Sequence, residues 1–310
     1  MLEETIDRLD FLKPEDIYIA INEKHLKLTK SLAPQIPESN IIIEPDLRDT
    51  ASCIGYAAAI IDKNHPDEVM AVIYADHLIQ NKVEFAVKLQ AAEKVAQKHN
   101  TLNIIEVPAL SPNTNYGYAK IGKSLETIDD SEIYELLHFE EKPSIDKAKQ
   151  FVKDDSYLWN TGIYVWKAKT LLEKYQQYQP ETFKVLQKIQ NSLNTGKSHE
   201  TISSLYPTLE KISIDYAIIE KVDPSEFRIL KANLGWSDIG NFEAIYEELA
   251  TSDQNITRGD VKTLETSDSL IYADTDKPIK VIGLKDVVIV DTPEGLLVCD
   301  KNQAKRVKEI

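Results

Sequence analysis

Apolar and polar positions follow two alternating rhythms over the first 110 residues. Leu2, Ile6 and Leu9 recur at i, i+4 and i+7, with Glu3, Glu4, Asp7, Arg8 and Asp10 on the opposite face, which predicts an amphipathic helix. Pro14 ends it, and "IYIAIN" then reads as a buried strand. The alternation continues. A helical stretch around 23–33 is followed by the strand "NIIIEP", a helix around 50–63, the strand "EVMAVIYADH", a helix around 82–99 and the strand "LNIIEVPAL". Apolar strands alternating with helices predict an α/β fold with a mostly parallel sheet covered on both faces. In such sheets ligands bind beyond the carboxyl ends of the strands.

From about residue 115 the pattern changes. "NYGYAKIGKS" and "IYELLHFEEKP" predict strands with turns, and helical segments follow near 144–153, 167–193 and 214–222. "FRILKANLGWSDIG" reads as a strand entering a turn, and "NFEAIYEELA" as a helix. After about residue 252 the chain turns to short strands, "SLIYA", "IKVIGL", "VVIVDT" and "GLLVCD", closed by the basic segment "NQAKRVKEI". Strands at such spacing predict a small β-rich unit. The expected organisation is therefore one α/β domain over 1–252 and a small β-rich domain over 253–310.

Composition narrows the classes. Of the 310 residues, 42% are hydrophobic and 28% charged, which suits an ordinary globular chain. The longest apolar runs fall short of a membrane span, and the acidic, periodic N-terminus matches no targeting peptide. Cys53 and Cys299 lie far apart in apolar runs and read as buried, inert thiols; a cytoplasmic location is the expectation. A net charge of −15 argues against a nucleic-acid polymer as partner. It does not argue against a small anionic ligand held by a metal ion and a few local cations.

Four stretches put polar residues in or just after an apolar strand, where α/β proteins keep their sites. "AVIYADHLI" ends in Asp76-His77, and "GWSDIG" holds Asp238 between Gly235 and Gly240. Each aspartate suits a helix N-cap or turn. Each also suits Mg²⁺, which takes one or two carboxylates together with substrate phosphates. "LHFEEKPS" carries Glu141 and Lys142, readable as a solvated charge cluster or as a carboxylate for sugar hydroxyls beside an ammonium for phosphate. In "YLWNTGIYVWKA", Asn160 and Gly162 interrupt an aromatic run. That is either a turn between two strands or an amide set to donate and accept at a sugar. The chain lacks G-x-S-x-G and Walker patterns, and its six histidines lack zinc-ligand spacing.

The order of these pieces says more than any one alone. "EPDLRDTA", "YADH", "NYGYAKIG", "FEEKP", "YLWNTGIYVWKA", "SIDYAIIEK", "GWSDIGNFEAIYE" and "VVIVDTPEGLLVCD" occur as in bacterial mannose-1-phosphate guanylyltransferases, which the chain resembles from end to end. "SIDYAIIEK" and "GWSDIG" are the most specific pieces. The resemblance implies a Rossmann-like nucleotidyltransferase sheet with helices on both faces and a small C-terminal β-helix-like domain. It implies transfer of GMP from GTP to mannose 1-phosphate, with Mg²⁺ held by Asp76 and Asp238. Glu141 and Asn160 would face the mannose hydroxyls, Gly117 would let the backbone approach closely, and Lys142 would meet the sugar phosphate as a catalytic cation. Asp215 would lie near the sugar, while Arg48, Thr50 and His77 match nucleotide-facing segments. The β-rich domain in the family often packs between subunits, so a homodimer is expected.

The chain departs from the family pattern at Asp49, where Asn is usual, at Tyr74, where Pro is usual, and at Asn115, where a glycine is usual. Family members also carry a strand, a loop resembling G-G-x-G-T-R-L-W-P-L-S and a Pro-Lys segment ahead of the helix that here begins at Leu2. No counterpart stands in these 310 residues, whose first glycine is Gly55. Loop amides of that kind cradle phosphates, and losing one transition-state donor costs about 10²–10³ in rate. The expectation is a longer functional protein, with this chain impaired by itself and with the strands flanking the absent one short of backbone partners. Two alternatives stand beside it. One is an inactive sugar-nucleotide-binding or regulatory subunit. The other is a different hexose-1-phosphate nucleotidyltransferase, such as a uridylyl- or thymidylyltransferase for glucose 1-phosphate.

Overall fold

The structure, a computed structural model, describes residues 1–239, 242–250 and 254–309. Two units divide it. Met1–Ala75 and Ile79–Trp236 make the first; Asp76–Leu78 and Ser237–Ile310 make the second. Gly240 and the expected boundary near residue 252 lie outside the described residues.

The first unit begins with helix α1 (Leu2–Asp7), strand β1 (Ile19–Asn22), α2 (Leu26–Leu32) and β2 (Ile41–Glu44). It continues through α3 (Asp49–Asn64), β3 (Val69–Val72), β4 (Leu78–Ile79, whose Leu78 belongs to the second unit), α4 (Lys82–His99) and β5 (Leu102–Pro108). Then come β6 (Tyr118–Ile128), β7 (Ser131–Glu140), α5 (Ile145–Phe151), β8 (Tyr157–Lys167), α6 (Ala168–Tyr178), α7 (Pro180–Ser192), α8 (Ser198–Leu205), β9 (Phe227–Lys231) and β10 (Trp236–Ser237, whose Ser237 belongs to the second unit). Local signals set several of these bounds. The Asn81 side chain caps α4 by accepting from the Glu84 amide at 3.1 Å, and Asn100, at φ 53°, closes it in the left-handed conformation. Pro180 starts α7 and so divides the helical stretch expected over 167–193.

Six strands pair in the order β3-β8-β5-β9-β7-β6. The expectation of a mostly parallel sheet is corrected: β5 and β9 run parallel, and β3–β8, β5–β8, β7–β9 and β6–β7 are antiparallel. The periodicity of a buried strand carries no information about direction. β8 enters between β3 and β5 from far along the chain and reverses both ladders. Helices cover both faces as expected. Leu102 and Ile104 of β5, Tyr164 and Trp166 of β8 and Ile229 of β9 pack with α3, α6 and α7. Ile105, Val107, Ile163, Val165 and Leu230, the alternate positions, pack with α4 and α5.

β1 and β2 pair in parallel, Ile19 opposite Ile41. Ile42 joins the first of these cores and Ile19 the second, so the pair lies in the same layer as the larger sheet. Among the described residues no backbone ladder joins it to that sheet.

The second unit holds α9 (Phe242–Leu249) and short strands β11 (Ile256–Arg258), β12 (Val261–Leu264), β13 (Leu270–Ala273), β14 (Ile279–Ile282), β15 (Val287–Thr292) and β16 (Gly295–Asp300). Odd and even strands alternate between two stacks. β11, β13 and β15 pair in parallel, as do β12 and β14, and β16 turns back antiparallel on β15. This is a β-helix. Ile271, Val281 and Ile289 fill its interior. Tyr246 of α9 packs against Leu270, Val288 and Ala304, and the Lys301 ammonium sits 3.8 Å from the Tyr246 ring centre. No helix among the described residues is long and apolar enough to cross a membrane.

Candidate functional site

β8 carries the centre of the site. It is one strand, with Asn160-Thr161-Gly162 forming a bulge rather than a turn: pairing with β5 runs from Ile105↔Ile163 to Val107↔Trp159, leaving extra residues on the β8 side. Thr161 Oγ1 donates to the Ile105 carbonyl at 2.5 Å and holds the bulge in place. Gly162 has φ +70°, and a Cβ there would lie 2.4 Å from Tyr74 Cε2. Only glycine lets the Tyr74 ring rest on the strand at that point.

Asn160 and Tyr164 share one face of β8 and converge on Asp215. Asn160 Nδ2 donates to Asp215 Oδ1 at 2.9 Å and to the Tyr164 hydroxyl at 3.1 Å, and the Tyr164 hydroxyl donates to the same Asp215 oxygen at 2.6 Å. The Asn160 Oδ1 accepts from the Gly162 amide at 3.0 Å. The amide is thus engaged in aiming Asp215. Asp215 opens a π-helical turn, Asp215–Ile219, where a helix near 214–222 was expected; such turns recur at functional sites.

Glu141 and Lys142 follow β7. Lys142 adopts φ 48°, and its Nζ lies 2.6 Å from Glu141 Oε1. Glu141 Oε2 is buried and has no partner; a Cβ on Gly117 would come within 2.4 Å of it. The expected close approach at Gly117 is therefore present, and the Asn160 backbone N–H donates to the Gly117 carbonyl at 2.8 Å. Burial, then the Asp215 charge, raises the Glu141 carboxyl above its usual range against the pull of Lys142. Burial lowers the Lys142 ammonium, but the bond to Glu141 and the neighbouring carboxylates outweigh it and leave it raised.

The start of α3 forms the other wall. Asp49 has φ 63° and accepts from the Thr50 amide at 2.7 Å. Thr50 Oγ1 accepts from the Ile214 amide at 2.9 Å, which ties α3 to the segment before Asp215. Burial, then Asp215, holds the Tyr74 hydroxyl strongly raised, while its bond to Thr50 opposes the shift. Together Asp49, Thr50, Tyr74, Lys142, Lys211 and Asp215 line a cleft of about 490 Å³ in the first unit. Its inventory is acceptor carboxylates for hydroxyl donors and ammonium groups for an anion.

Of the residues read from sequence, Thr50, Gly117, Glu141, Lys142, Asn160 and Asp215 meet in or against this cleft. The Arg48 guanidinium instead pairs with Asp46 at 2.8 Å. Asp76, His77 and Asp238 belong to the second unit, on segments linked by the pairing of β4 with β10. Among the described residues no group of three or more His, Cys, Asp or Glu could cage a metal ion. Carboxylates are the residue type that suits an ion completing its shell with substrate phosphates and water. Sequence reasoning missed Tyr164 and Lys211 and treated Asp49 and Tyr74 only as departures. Tyr164 was within reach, since positions 160 and 164 share a face in a strand of period two. Lys211 gave no signal, being one lysine in a polar loop.

Comparison with known proteins fits this geometry. The family described as nucleotidyl transferase matches residues 1–255, and the MannoseP isomerase/GMP-like β-helix domain matches 259–310. A mannose-1-phosphate guanylyltransferase of Escherichia coli is 31% identical over the whole chain and 67% of its own length. A putative mannose-1-phosphate guanylyltransferase of Vibrio cholerae is 32% identical over the whole chain and 66% of its own length. The chain thus spans about two thirds of these relatives. Among solved structures, one described as a mannose-1-phosphate geranyltransferase from Thermus thermophilus superposes with a TM-score of 0.86 at 24% identity. It covers 99% of this chain and 87% of that one, and so shares the fold. A mannose-6-phosphate isomerase from Helicobacter pylori superposes with a TM-score of 0.62 at 25% identity, over 76% and 89% of the two chains. The chain belongs to the mannose-1-phosphate guanylyltransferase family of nucleotidyl transferases, with its catalytic-type α/β domain followed by the family's β-helix.

Proposed function

We propose that the protein transfers GMP from GTP to mannose 1-phosphate, forming GDP-mannose and pyrophosphate. The observation that carries this reading is the convergence of Glu141, Asn160 and Asp215 over Gly117, with Lys142 alongside. The two carboxylates accept from sugar hydroxyls. Asn160 and Tyr164 fix the Asp215 rotamer before the sugar arrives, which lowers the entropic cost of orienting it. Lys142 faces the phosphate. An oxygen of the sugar phosphate attacks the α-phosphorus of GTP. A new P–O bond forms, the bond to the β-phosphate breaks, and pyrophosphate leaves with that electron pair. The attacking oxygen is already anionic, so the residues need only orient it and offset charge. Asp76 and Asp238 are the proposed holders of a divalent cation, Mg²⁺ in this reading, which would supply charge neutralisation on the triphosphate when bound. Thr50 is placed on the nucleotide side in this reading, as are Arg48 and His77.

Pyrophosphate release tests the proposal, with GTP, UTP, dTTP and ATP each offered with mannose 1-phosphate or glucose 1-phosphate. Release that requires GTP and mannose 1-phosphate together is expected. Binding of GDP-mannose without release, both from this chain and from a version supplied with the family's Gly-rich loop, overturns it in favour of a regulatory subunit, and a preference for UTP or dTTP with glucose 1-phosphate assigns another transferase. A homodimer is part of the proposal. It is supported by Leu264 and Ile282, register partners on β12 and β14 that are 58% and 66% exposed.

A further inference from the structure

The charge count of the cleft leaves a requirement that Lys142 alone does not meet. Asp49 and Asp215 line it, and Glu141 stands behind Lys142 with its Oε1 2.6 Å from that ammonium. An arriving phosphate therefore meets three carboxylates and a lysine already ion-paired. Burying a dianion there without further positive charge is unfavourable. The other cation lining the cleft is Lys211. It is exposed and, among the described residues, engaged in no ion pair.

Its backbone is nonetheless held on both sides. Ser52 Oγ donates to the Glu210 carbonyl at 3.2 Å, the Ala51 amide to the Ile212 carbonyl at 3.2 Å, and the Ile214 amide to Thr50 Oγ1 at 2.9 Å. The first turn of α3 thus clamps residues 210, 212 and 214. Lys211 and Ser213 are left at the cleft, with Asp215 just beyond. A pinned Cα and a four-carbon stem make a short-range, reorientable point charge, which suits a phosphate better than a fixed carboxylate.

We infer that Lys211 is the second phosphate-binding cation of the cleft, closing together with Lys142 on the phosphate of the sugar phosphate. The inference rests on the sugar-phosphate reading of the cleft. The bond made is a charge-assisted hydrogen bond, and no covalent step is assigned to Lys211.

Calorimetric titration of the full chain tests it, using mannose 1-phosphate, mannose and GTP as separate ligands. Lys211→Met should weaken mannose 1-phosphate by about tenfold, the scale of one lost charge-assisted bond, while mannose and GTP change by less than about twofold. Lys211→Arg should restore most of the loss. Lys188→Met, on α7, removes the same charge at a distance and should leave all three affinities unchanged. Unaltered mannose 1-phosphate binding in Lys211→Met overturns the inference, as does a loss shared equally by mannose or transferred to GTP. If the unaltered protein binds GTP but not mannose 1-phosphate, the sugar-phosphate reading itself fails and takes this inference with it.

Discussion

Glu106 shows what one side chain can cost. It lies on β5, fully buried, and neither carboxyl oxygen has a hydrogen-bond partner. Burial alone pushes its pKa well above the usual 4.5. The folded chain therefore keeps this proton to higher pH than the unfolded chain does. Stability from this group is present below the usual carboxylate range and is lost as pH rises toward the raised value. Glu106→Leu should raise thermal stability, by about 1–3 kcal/mol where the acid is most penalised. The gain should grow from pH 5 to pH 8 in paired unfolding curves. A gain independent of pH would mean that the benefit comes from packing instead. In sequence, Glu106 sits in "LNIIEVPAL" as one polar residue in a strand, and nothing local marks it as unpartnered. Asp215 was legible only through the family motif around it. Its hydrogen bonds come from residues more than fifty positions earlier, a separation no local pattern encodes.

At the scale of elements, the limits of α3 and α4 were readable because helical periodicity is local, helped in α4 by the Asn81 and Asn100 caps. β8 was not. "YLWNTGIYVWKA" read either as a turn between two strands or as an amide set for a sugar, and its pairing with β5 shows a single bulged strand with no turn. The bulge keeps even positions on one face, so Asn160, Gly162 and Tyr164 stay aligned. Gly162→Ala should test the whole arrangement. Its φ of +70° disfavours any Cβ, and the added atom would meet Tyr74 at 2.4 Å. A stability loss of about 1–2 kcal/mol is expected. Mannose 1-phosphate affinity should fall with it, because Tyr74 must leave the cleft wall. Unfolding and titration of the same variant measure both, and undiminished binding would show that the Tyr74 position does not shape the cleft.

Across the whole molecule, a net charge of −15 disfavours anionic ligands in general, so phosphate binding must rest on local cations such as Lys142 and Lys211. The β-helix leaves Leu264 and Ile282 exposed side by side, more apolar surface than a solvated turn of such a helix requires. Ile282→Lys should shift the protein from dimer to monomer in sedimentation at unchanged thermal stability. A monomeric unaltered protein, or a dimer in the variant, would exclude this face as the contact.

The amino-acid sequence by itself determined the α/β class, the β-rich tail, most helix positions and the polar residues available for chemistry. Those follow from periodicity, caps and residue type, all of which act over a few neighbouring positions. The tertiary structure alone decided the strand directions, the bulge that aims β8, the orphaned acid on β5 and the clamp that brings Lys211 to the cleft. Each of these depends on hydrogen bonds or burial contributed by segments distant along the chain, and their free energies exist only once the sheet has assembled.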